Sequence, residues 1–325
     1  MNDERKNTLT TRHLVDPELV ALLDLIPATA PSAENLGQIR AMSPRPPVNL
    51  AQSSTLSVSE RFIPGPAGAP DVRVLFYRPI SAQGPLPALL WIHGGGYIMG
   101  SADAEDSLVT SMVSAIGCAA VSVDYRLAPE TPYPGPVEDC YAALKWLSTH
   151  GDELGIDSKR IAVGGSSAGG GLAAALALLA RDRGEVSLLF QLLMAPMIDD
   201  RTSTLAEPHP YTGEFIWTRQ ANRFGWTSLL GQEPGGPDVS PYAAAARAEN
   251  LEGLPATFIN VGSIDLFVDE DVEYARRLMR AGVPVELHVY PGAYHGFRMV
   301  ASAQVTETSA RDQLAALKRA FDRSV

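Results

Sequence analysis

The sequence predicts an α/β fold in which a mostly parallel sheet carries helices on both faces. From residue 86 onward, short runs typical of buried strands alternate with helical stretches, and this alternation is characteristic of parallel sheets. Hydrophobic residues make up 46% of the 325 positions and charged residues 19%. A chain of this length and composition can bury a large core without disulfides or structural metals.

About eight strands are expected. Two of them, at Leu56–Val58 and Val72–Val74, alternate apolar with polar residues and are joined through the Pro/Gly-rich turn 64–70. The other six are apolar runs at Ala88–Ile92, Ala119–Val123, Arg160–Val163, Leu188–Met194, Thr257–Val261 and Val285–Tyr290. Helices are expected at 104–116, 134–150, 168–182, 269–281 and 305–323.

Two stretches depart from this rhythm. In the first 50 residues, Asp16-Pro17 and the apolar positions from Leu19 to Ile26 predict one short amphipathic helix. Five prolines then exclude a single regular element; they are Pro27, Pro31, Pro44, Pro46 and Pro47. Residues 200–250 are interpreted as an insertion over the sheet edge. Its aromatic residues Trp217, Phe224 and Trp226 either line a pocket or form a small core of their own.

Charge and targeting signals narrow the class of protein. The net charge is −11, from 26 basic and 37 acidic residues, which argues against a nucleic-acid partner. The longest apolar stretch, Ala168–Ala180, is 13 residues long and too short to span a bilayer. We find no signal peptide in Met1–Lys6 or in the interrupted apolar run Val20–Ile26. The two cysteines, Cys118 and Cys140, match neither a disulfide framework nor a metal site, so a cytoplasmic location without a cofactor is expected.

The strongest chemical signal is the pattern G-x-S-x-G at 165–169. It follows the strand Ile161–Val163 directly and precedes a helix, which is the context that exposes a nucleophilic serine on a sharp turn. Ser167 occupies the middle of the pattern and is the predicted nucleophile. The alternative is a glycine-rich turn that binds a phosphate, but the segment lacks the lysine of a P-loop.

A second signal is His93-Gly94-Gly95-Gly96 at the end of the strand Ala88–Ile92. Glycines at this position let backbone N–H groups approach a substrate carbonyl. Such a loop forms one half of an oxyanion hole, and the N–H of the residue after the nucleophile, Ala168, forms the other half. His93 is interpreted as a residue that holds this loop in place.

The serine requires a base, and the base requires an acid that orients it. His295 lies on a loop beyond the last strand, where functional groups of parallel sheets collect. Four further histidines lie in the N-terminal segment, at a helix end, between two prolines and on a strand; in that order they are His13, His150, His209 and His288. Asp265 follows the strand Thr257–Val261, whereas the acidic residues 269–271 are better explained as charges at a helix N-terminus. The resulting order is Ser167, Asp265, His295.

Together these motifs resemble the hormone-sensitive-lipase-like esterases, which are bacterial family IV of the α/β-hydrolase superfamily. The resemblance covers roughly residues 70–300. It is carried by H-G-G-G at 93–96, D-Y-R-L-A-P-E at 124–130, V-E-D at 137–139, G-x-S-A-G-G at 165–170, D-L-F-V-D-E at 265–270 and H-G-F at 295–297. One departure is Ser166, where the common family motif has Asp; family members with a small hydroxyl residue at this position form a recognised subgroup.

The resemblance implies an α/β-hydrolase fold with a helical cap. It implies a triad of Ser167, Asp265 and His295, with oxyanion-hole N–H groups from Gly95, Gly96 and Ala168 and with Gly94 shaping the loop. The expected domains are an N-terminal cap segment, 1–50, and a catalytic domain, 51–325, with a cap insertion at about 200–250. The resemblance also suggests a homodimer.

The expected function is that of a serine carboxylesterase that hydrolyses short- to medium-chain acyl esters through an acyl-enzyme. The partner is therefore a small-molecule ester, with no nucleic acid and no membrane. A lactone or amide hydrolase with the same triad is an alternative. A non-catalytic small-molecule receptor of the same fold is another, although such receptors lose the histidine that His295 supplies here. The stretch 124–130 is expected to serve structure, with Asp124 and Arg126 holding loops through ion pairs.

Overall fold

Eight strands form a single sheet in the computed structural model, which describes residues 11–26, 29–42 and 55–322. In chain order the strands are β1 (Leu56–Ile63), β2 (Val72–Pro79), β3 (Leu86–Ile92), β4 (Ala119–Asp124), β5 (Ile156–Ser166), β6 (Phe190–Met194), β7 (Ala256–Gly262) and β8 (Val285–Tyr290). Their spatial order is β1-β2-β4-β3-β5-β6-β7-β8. β2 pairs antiparallel with β1 and β4, and all other pairs are parallel. The predicted mostly parallel sheet is confirmed.

Nine α-helical segments lie in the described ranges. They are α1 (Val20–Leu23), α2 (Leu36–Met42), α3 (Asp106–Ile116), α4 (Gly135–Thr149), α5 (Gly151–Leu154), α6 (Ala168–Arg183), α7 (Arg219–Leu230), α8 (Val268–Arg280) and α9 (Gln304–Asp322). The five predicted helices correspond to α3, α4, α6, α8 and α9, within two residues at each end. No helix in the described ranges is long and apolar enough to cross a membrane.

The predicted N-terminal helix exists in a different form. A turn of 3₁₀-helix at Pro17–Leu19 leads into the short helix α1, so the segment is not one α-helix. Asp16 caps the turn, since its carboxylate accepts a hydrogen bond from the N–H of Glu18 over 2.9 Å. The segment Met1–Lys6 and the prolines Pro27, Pro44, Pro46 and Pro47 lie outside the described residues.

Each side of the sheet has its own core, because successive side chains of a strand point to opposite faces. On β3, Leu90 and Ile92 belong to a cluster that includes residues of α4 and α6, whereas Leu89 and Trp91 belong to one built with α3 and α9. Burial of each large apolar side chain stabilises the fold by about 1.5–3 kcal/mol. The apolar stretch Ala168–Ala180 is buried along its whole length within α6, which explains its apolar composition.

The carboxyl ends of the parallel strands converge at one edge of the sheet. β3 leads into the glycine loop 93–96, β5 into Ser167, β7 into the loop of Asp265 and β8 into the loop of His295. Segments that are far apart in the sequence therefore meet in one place, as expected for an open α/β sheet.

Candidate active site

Ser167 lies on a sharp turn between β5 and α6. Its backbone angles are φ 54° and ψ −121°, a left-handed conformation that is strained for a residue with a side chain. The glycines of the motif allow the turn because there is no room for larger residues. A Cβ at Gly169 would lie 2.0 Å from the carbonyl oxygen of Ile92, and one at Gly165 would lie 2.3 Å from the carbonyl oxygen of Gly169. The strand–turn–helix context expected for G-x-S-x-G is present.

His295 lies between Ser167 and Asp265. Its Nε2 is 2.9 Å from Oγ of Ser167, and its Nδ1 is 2.8 Å from Oδ2 of Asp265. The second carboxylate oxygen of Asp265 accepts a hydrogen bond from the N–H of Phe267 over 3.0 Å. Asp265 is buried, and only 8% of His295 is exposed. The structure thus brings the three predicted side chains into one chain of hydrogen bonds.

The glycine loop lies beside this group. Gly95 and Gly96 have φ values of 119° and 61°, which only glycine adopts readily. Gly94 packs against the nucleophile turn, since an added Cβ would lie 2.9 Å from the carbonyl oxygen of Ser166. Ala168, the first residue of α6, is fully buried. The four residues predicted for the oxyanion hole therefore lie on two adjoining turns.

His93 packs within the glycine loop rather than against Ser167. Its ring stacks on Tyr125 with a centroid distance of 4.2 Å, and its Nδ1 donates to the carbonyl oxygen of Gly94 over 2.8 Å. The hydroxyl of Tyr125 donates to the carbonyl oxygen of His93 over 3.0 Å. These contacts agree with the expected role of His93 in holding the loop.

The stretch 124–130 makes structural contacts, as expected. Arg126 forms a bidentate ion pair with the buried Asp139, with distances of 2.7 and 2.8 Å. Asp139 also accepts the backbone N–H of Arg126 over 3.0 Å. Asp124 accepts the N–H of Ala102 over 3.3 Å and lies 3.4 Å from the guanidinium of Arg73. These contacts join the segment after β4 to α4 and to the loop that follows the glycines.

A cavity of about 300 Å³ opens beside Ser167. Its apolar wall includes Met99, Ile216, Trp217, Phe297 and Met299, and its polar wall includes Glu105, Ser166, Asn260, Arg298 and Ser309. No group of three or more His, Cys, Asp or Glu side chains in the described ranges could hold a metal ion.

The aromatic residues of the insertion separate into two roles. Trp217 lines the cavity and covers the glycine loop, because its ring would lie 2.1 Å from a Cβ at Gly96. Its Nε1 donates to Asn222 over 3.2 Å, which fixes the indole. Trp226 is fully buried against Tyr97, and Phe224 packs on the same core. Trp217 therefore lies at a pocket, whereas Trp226 and Phe224 belong to the main core beside the sheet and do not form a small core of the insertion alone.

The acidic residues after Asp265 differ from the expected helix charges. They do form the first turn of α8, but only Asp269 is not buried. Glu270 is buried and accepts the backbone N–H groups of Ile198 and Asp199 over 2.8 and 3.1 Å. Asp271 is also buried, and neither of its carboxylate oxygens has a hydrogen-bond partner among the described residues. Two of the three carboxyls are therefore core groups, which residue type and helix position alone do not reveal.

Sequence reasoning missed Glu105. It lies in a short 3₁₀ turn after the glycine loop, is buried, and accepts a hydrogen bond from the neighbour of the predicted nucleophile. The one signal in the sequence is Ser166, because a hydroxyl stands where the common family motif has a carboxylate.

A second cavity, of about 740 Å³, lies away from Ser167 between α8 and the insertion. Three arginines line it, and each already has partners: Arg247 binds Asp200, Arg201 binds Asp199, and Arg277 donates to backbone carbonyls. These guanidinium groups are therefore already paired, and Arg277 links α8 to the insertion.

Comparison with known proteins gives a consistent family. A family model described as an alpha/beta hydrolase fold matches residues 89–299. The chain is 36% identical to Esterase LipI of Mycobacterium tuberculosis over 297 residues, which cover 90% of each protein. It is 37% identical to Carboxylesterase NlhH of the same species over 319 residues, which cover 94% of this chain and 96% of that protein.

Solved structures with a similar fold are also described as esterases. The fold matches a structure described as a Bacterial Heroin Esterase with a TM-score of 0.88 and 43% sequence identity, over 97% of this chain and all of that one. An esterase LipW from Mycobacterium marinum matches with a TM-score of 0.84 and 35% identity, over 96% of this chain and 98% of that one.

Proposed function

Because this chain belongs to the α/β-hydrolase family and is, like its hormone-sensitive-lipase-like relatives, a carboxylic ester hydrolase, we propose that it cleaves short- to medium-chain acyl esters through Ser167, His295 and Asp265. The observation that carries the proposal is the continuous hydrogen-bond chain from Asp265 through His295 to Ser167, with distances of 2.8 and 2.9 Å, at the wall of a cavity.

Acylation begins with proton transfer to His295. Asp265 accepts from Nδ1, so Nδ1 carries the proton and the lone pair of Nε2 faces Oγ of Ser167. As Oγ attacks the ester carbonyl, Nε2 takes its proton, and the buried carboxylate of Asp265 stabilises the imidazolium that forms. The imidazolium then protonates the leaving alcohol, and the acyl group stays on Oγ.

The carbonyl oxygen becomes an oxyanion in this step. We assign its binding to the backbone N–H groups of Gly95, Gly96 and Ala168, with Gly94 shaping the loop. The N-terminus of α6, where Ala168 lies, adds a favourable dipole. Loss of one such donor typically costs about 10²–10³-fold in kcat. Water then attacks the acyl-enzyme by the same route and releases the acid.

The cavity supports a preference for modest acyl chains. Its volume of about 300 Å³ lies at the small end of the ligand-pocket range of about 300–1,000 Å³. We propose that the N-terminal segment within 1–50 and the insertion at about 200–250 form a cap over it. The insertion supplies Ile216 and Trp217 to the wall, and Thr11 of the N-terminal segment donates its hydroxyl to Glu214 over 2.8 Å.

The test is hydrolysis of p-nitrophenyl acetate, butyrate, octanoate and palmitate by the wild type and by Ser167→Ala. We expect activity on the shorter chains and a fall in kcat of roughly a million-fold in the variant. Mass spectrometry of the protein after brief reaction should locate the acyl group on Ser167. A folded wild type that cleaves a lactone or an anilide but none of the esters would contradict the substrate class. Equal activity in the variant would contradict the mechanism.

A further inference from the structure

Glu105 is a buried carboxylate at the wall of the active-site cavity that the triad does not use. The residue is 8% exposed and lies in the 3₁₀ turn Asp103–Glu105, beyond the glycine loop. None of the proton transfers or nucleophilic attacks in ester hydrolysis by the triad requires it. A buried carboxylate is costly unless its oxygens are paired, so its partners are informative.

Three donors satisfy Glu105, and each comes from a different segment. Nε1 of Trp91, on β3, donates to Oε2 over 2.6 Å. Oγ of Ser166 donates to Oε1 over 2.8 Å, and Nη2 of Arg298 donates to the same oxygen. The same Nη2 lies 3.4 Å from Oγ of Ser166. Glu105, Ser166 and Arg298 thus form a closed group, which we call the Glu105 cluster.

The cluster contains a carboxylate at neutral pH. Burial by itself raises the pKa of Glu105, but the nearby Arg298 charge and the hydrogen bonds from Ser166 and Trp91 outweigh burial and hold the pKa below its usual value. Glu105 is therefore the negative partner of Arg298, whose side chain is 37% exposed at the cavity wall. Hydrogen bonds to a carboxylate are stronger than those to a neutral carboxyl, so the three donors hold the charged Glu105 side chain more firmly in place.

Each donor to Glu105 lies close in the sequence to a part of the candidate active site. Ser166 directly precedes Ser167, Arg298 lies shortly after His295 on the same loop, and Trp91 lies at the end of β3 just before the glycine loop. The predicted nucleophile, the base and the glycine loop belong to segments that the chain connects only over long distances. Glu105 accepts hydrogen bonds from Ser166, Arg298 and Trp91, which lie beside the nucleophile, the base and the glycine loop, respectively. It forms no hydrogen bond with the triad itself among the described residues.

We propose that Glu105 is a positioning residue of this esterase, which holds the nucleophile turn and the His295 loop in their working arrangement through Ser166 and Arg298. The proposal rests on the proposed function of Ser167 and His295. It also accounts for the departure at position 166: the carboxylate that the family motif carries on the nucleophile turn is supplied here from the neighbouring loop.

The test exchanges the position of the charge. Glu105→Gln keeps the shape of the side chain but leaves Arg298 without its anion. Ser166→Asp places a second carboxylate against Glu105. The double variant moves the single carboxylate from residue 105 to residue 166, where Nη2 of Arg298 is already 3.4 Å from the side chain. Each variant is assayed for kcat and KM on p-nitrophenyl butyrate and for the rate of phosphorylation by diethyl p-nitrophenyl phosphate.

A positioning role predicts a specific pattern. Glu105→Gln should lower kcat and the phosphorylation rate by roughly 10- to 100-fold, with KM within about twofold, since misplacement of reacting groups by about 1 Å costs this much. Ser166→Asp should show a similar loss because of repulsion between the two carboxylates. The double variant should regain at least about fivefold over Glu105→Gln, since residues in one network are coupled rather than additive.

The control is Asp200→Asn, which breaks a buried ion pair with Arg247. Neither residue lines the cavity beside Ser167. It should lower Tm without lowering kcat at about 25 °C. A purely structural Glu105 would behave in the same way: Tm would fall while kcat stayed within about twofold of wild type, and the proposal would be overturned. A double variant no better than the worse single variant would overturn it as well.

If Glu105→Gln does not fold, Arg298→Met tests the same link from the partly exposed side, and an unchanged kcat there would count against the proposal. Failure of the proposed function is distinguishable from all of these results. Activity that survives Ser167→Ala would overturn the triad, whereas activity that is lost with Ser167→Ala but unchanged by Glu105→Gln would overturn only the positioning role.

Discussion

The hydroxyl of Tyr294 donates a buried hydrogen bond of 2.9 Å to the carbonyl oxygen of Leu19. Tyr294 directly precedes His295, so this bond ties the loop of the proposed base to the N-terminal segment. A second contact reinforces it, because the N–H of Asp16 donates to the carbonyl oxygen of Gly292 over 3.0 Å. Leu19 and Tyr294 also belong to one apolar cluster with Phe297. The N-terminal segment therefore supports the loop on which His295 lies.

Tyr294→Phe tests that support. The change removes one buried hydrogen bond and leaves the carbonyl of Leu19 without this donor, at a cost of about 1–3 kcal/mol. We expect a fall in Tm of several degrees, since about 1 kcal/mol lowers Tm by about 2–4 °C in larger domains, together with a several-fold fall in kcat. Tyr211→Phe, at an exposed tyrosine, is the matched control. Equal behaviour of the two variants would show that the bond contributes nothing.

Asp265→Asn and Asp269→Asn separate the proposed acid from its acidic neighbour. Asparagine at 265 can no longer hold the required tautomer of His295, so kcat should fall by about 10⁴-fold, as in other triads. Asp269 lies on the first turn of α8 and is not buried, so its replacement should leave kcat within about twofold. Steady-state assays on p-nitrophenyl butyrate measure kcat for both variants and the wild type. Comparable losses in both variants would mean that the acid is assigned to the wrong residue.

Trp217→Ala should change the preference for acyl chain length. The indole closes the cavity over Gly96 and is fixed by Asn222, so its removal opens space beside Ser167. We expect the ratio of kcat/KM for the octanoate to that for the acetate to rise by about tenfold, which is the lower end of the effect of one further methylene in an apolar pocket. Trp146→Ala, on α4 outside the cavity, should leave this ratio unchanged. A ratio that does not move in Trp217→Ala would exclude the indole as the wall that limits chain length.

Asp271→Asn should stabilise the protein increasingly as the pH rises. Burial, together with the charges of Glu270 and Asp265, raises the pKa of Asp271 well above its ordinary value. A carboxyl whose pKa is higher in the folded state favours folding most when it is protonated. That contribution is complete below the unfolded pKa of about 3.9 and is lost as the pH rises through the folded pKa.

Asparagine stays neutral and does not lose this contribution. The difference in Tm between Asp271→Asn and the wild type, measured from about pH 4 to about pH 8, should therefore grow toward higher pH. Asp269→Asn, at the neighbouring position that is not buried, is the control for loss of a carboxylate from the first turn of α8. A constant difference for Asp271→Asn would mean that Asp271 does not titrate with the folding of this protein.

Local patterns in the sequence were enough to predict the sheet, its main helices and the residues of the candidate site. The period of apolar residues predicted the strands and helices, because strand and helix periodicities are properties of short windows. The motifs at 93–96 and 165–169, with Asp265 and His295 after two strands, predicted which residues meet. Side chains at the carboxyl ends of parallel strands gather at one edge of the sheet. Their positions directly after strands in the sequence were therefore enough to predict that they meet.

Other features were decided only by the tertiary structure. The roles of Glu105, of Tyr294 and of the two tryptophans Trp217 and Trp226 depend on which segment packs against each of them. The difference in burial between Asp269 and Asp271 also depends on the segments that pack against them. These contacts join loops of irregular conformation that are far apart in the chain, as between Glu105 and Arg298, and no short-range periodicity encodes them. Whether a carboxyl is solvated, paired or isolated is settled by desolvation and by the partners that the fold brings to it.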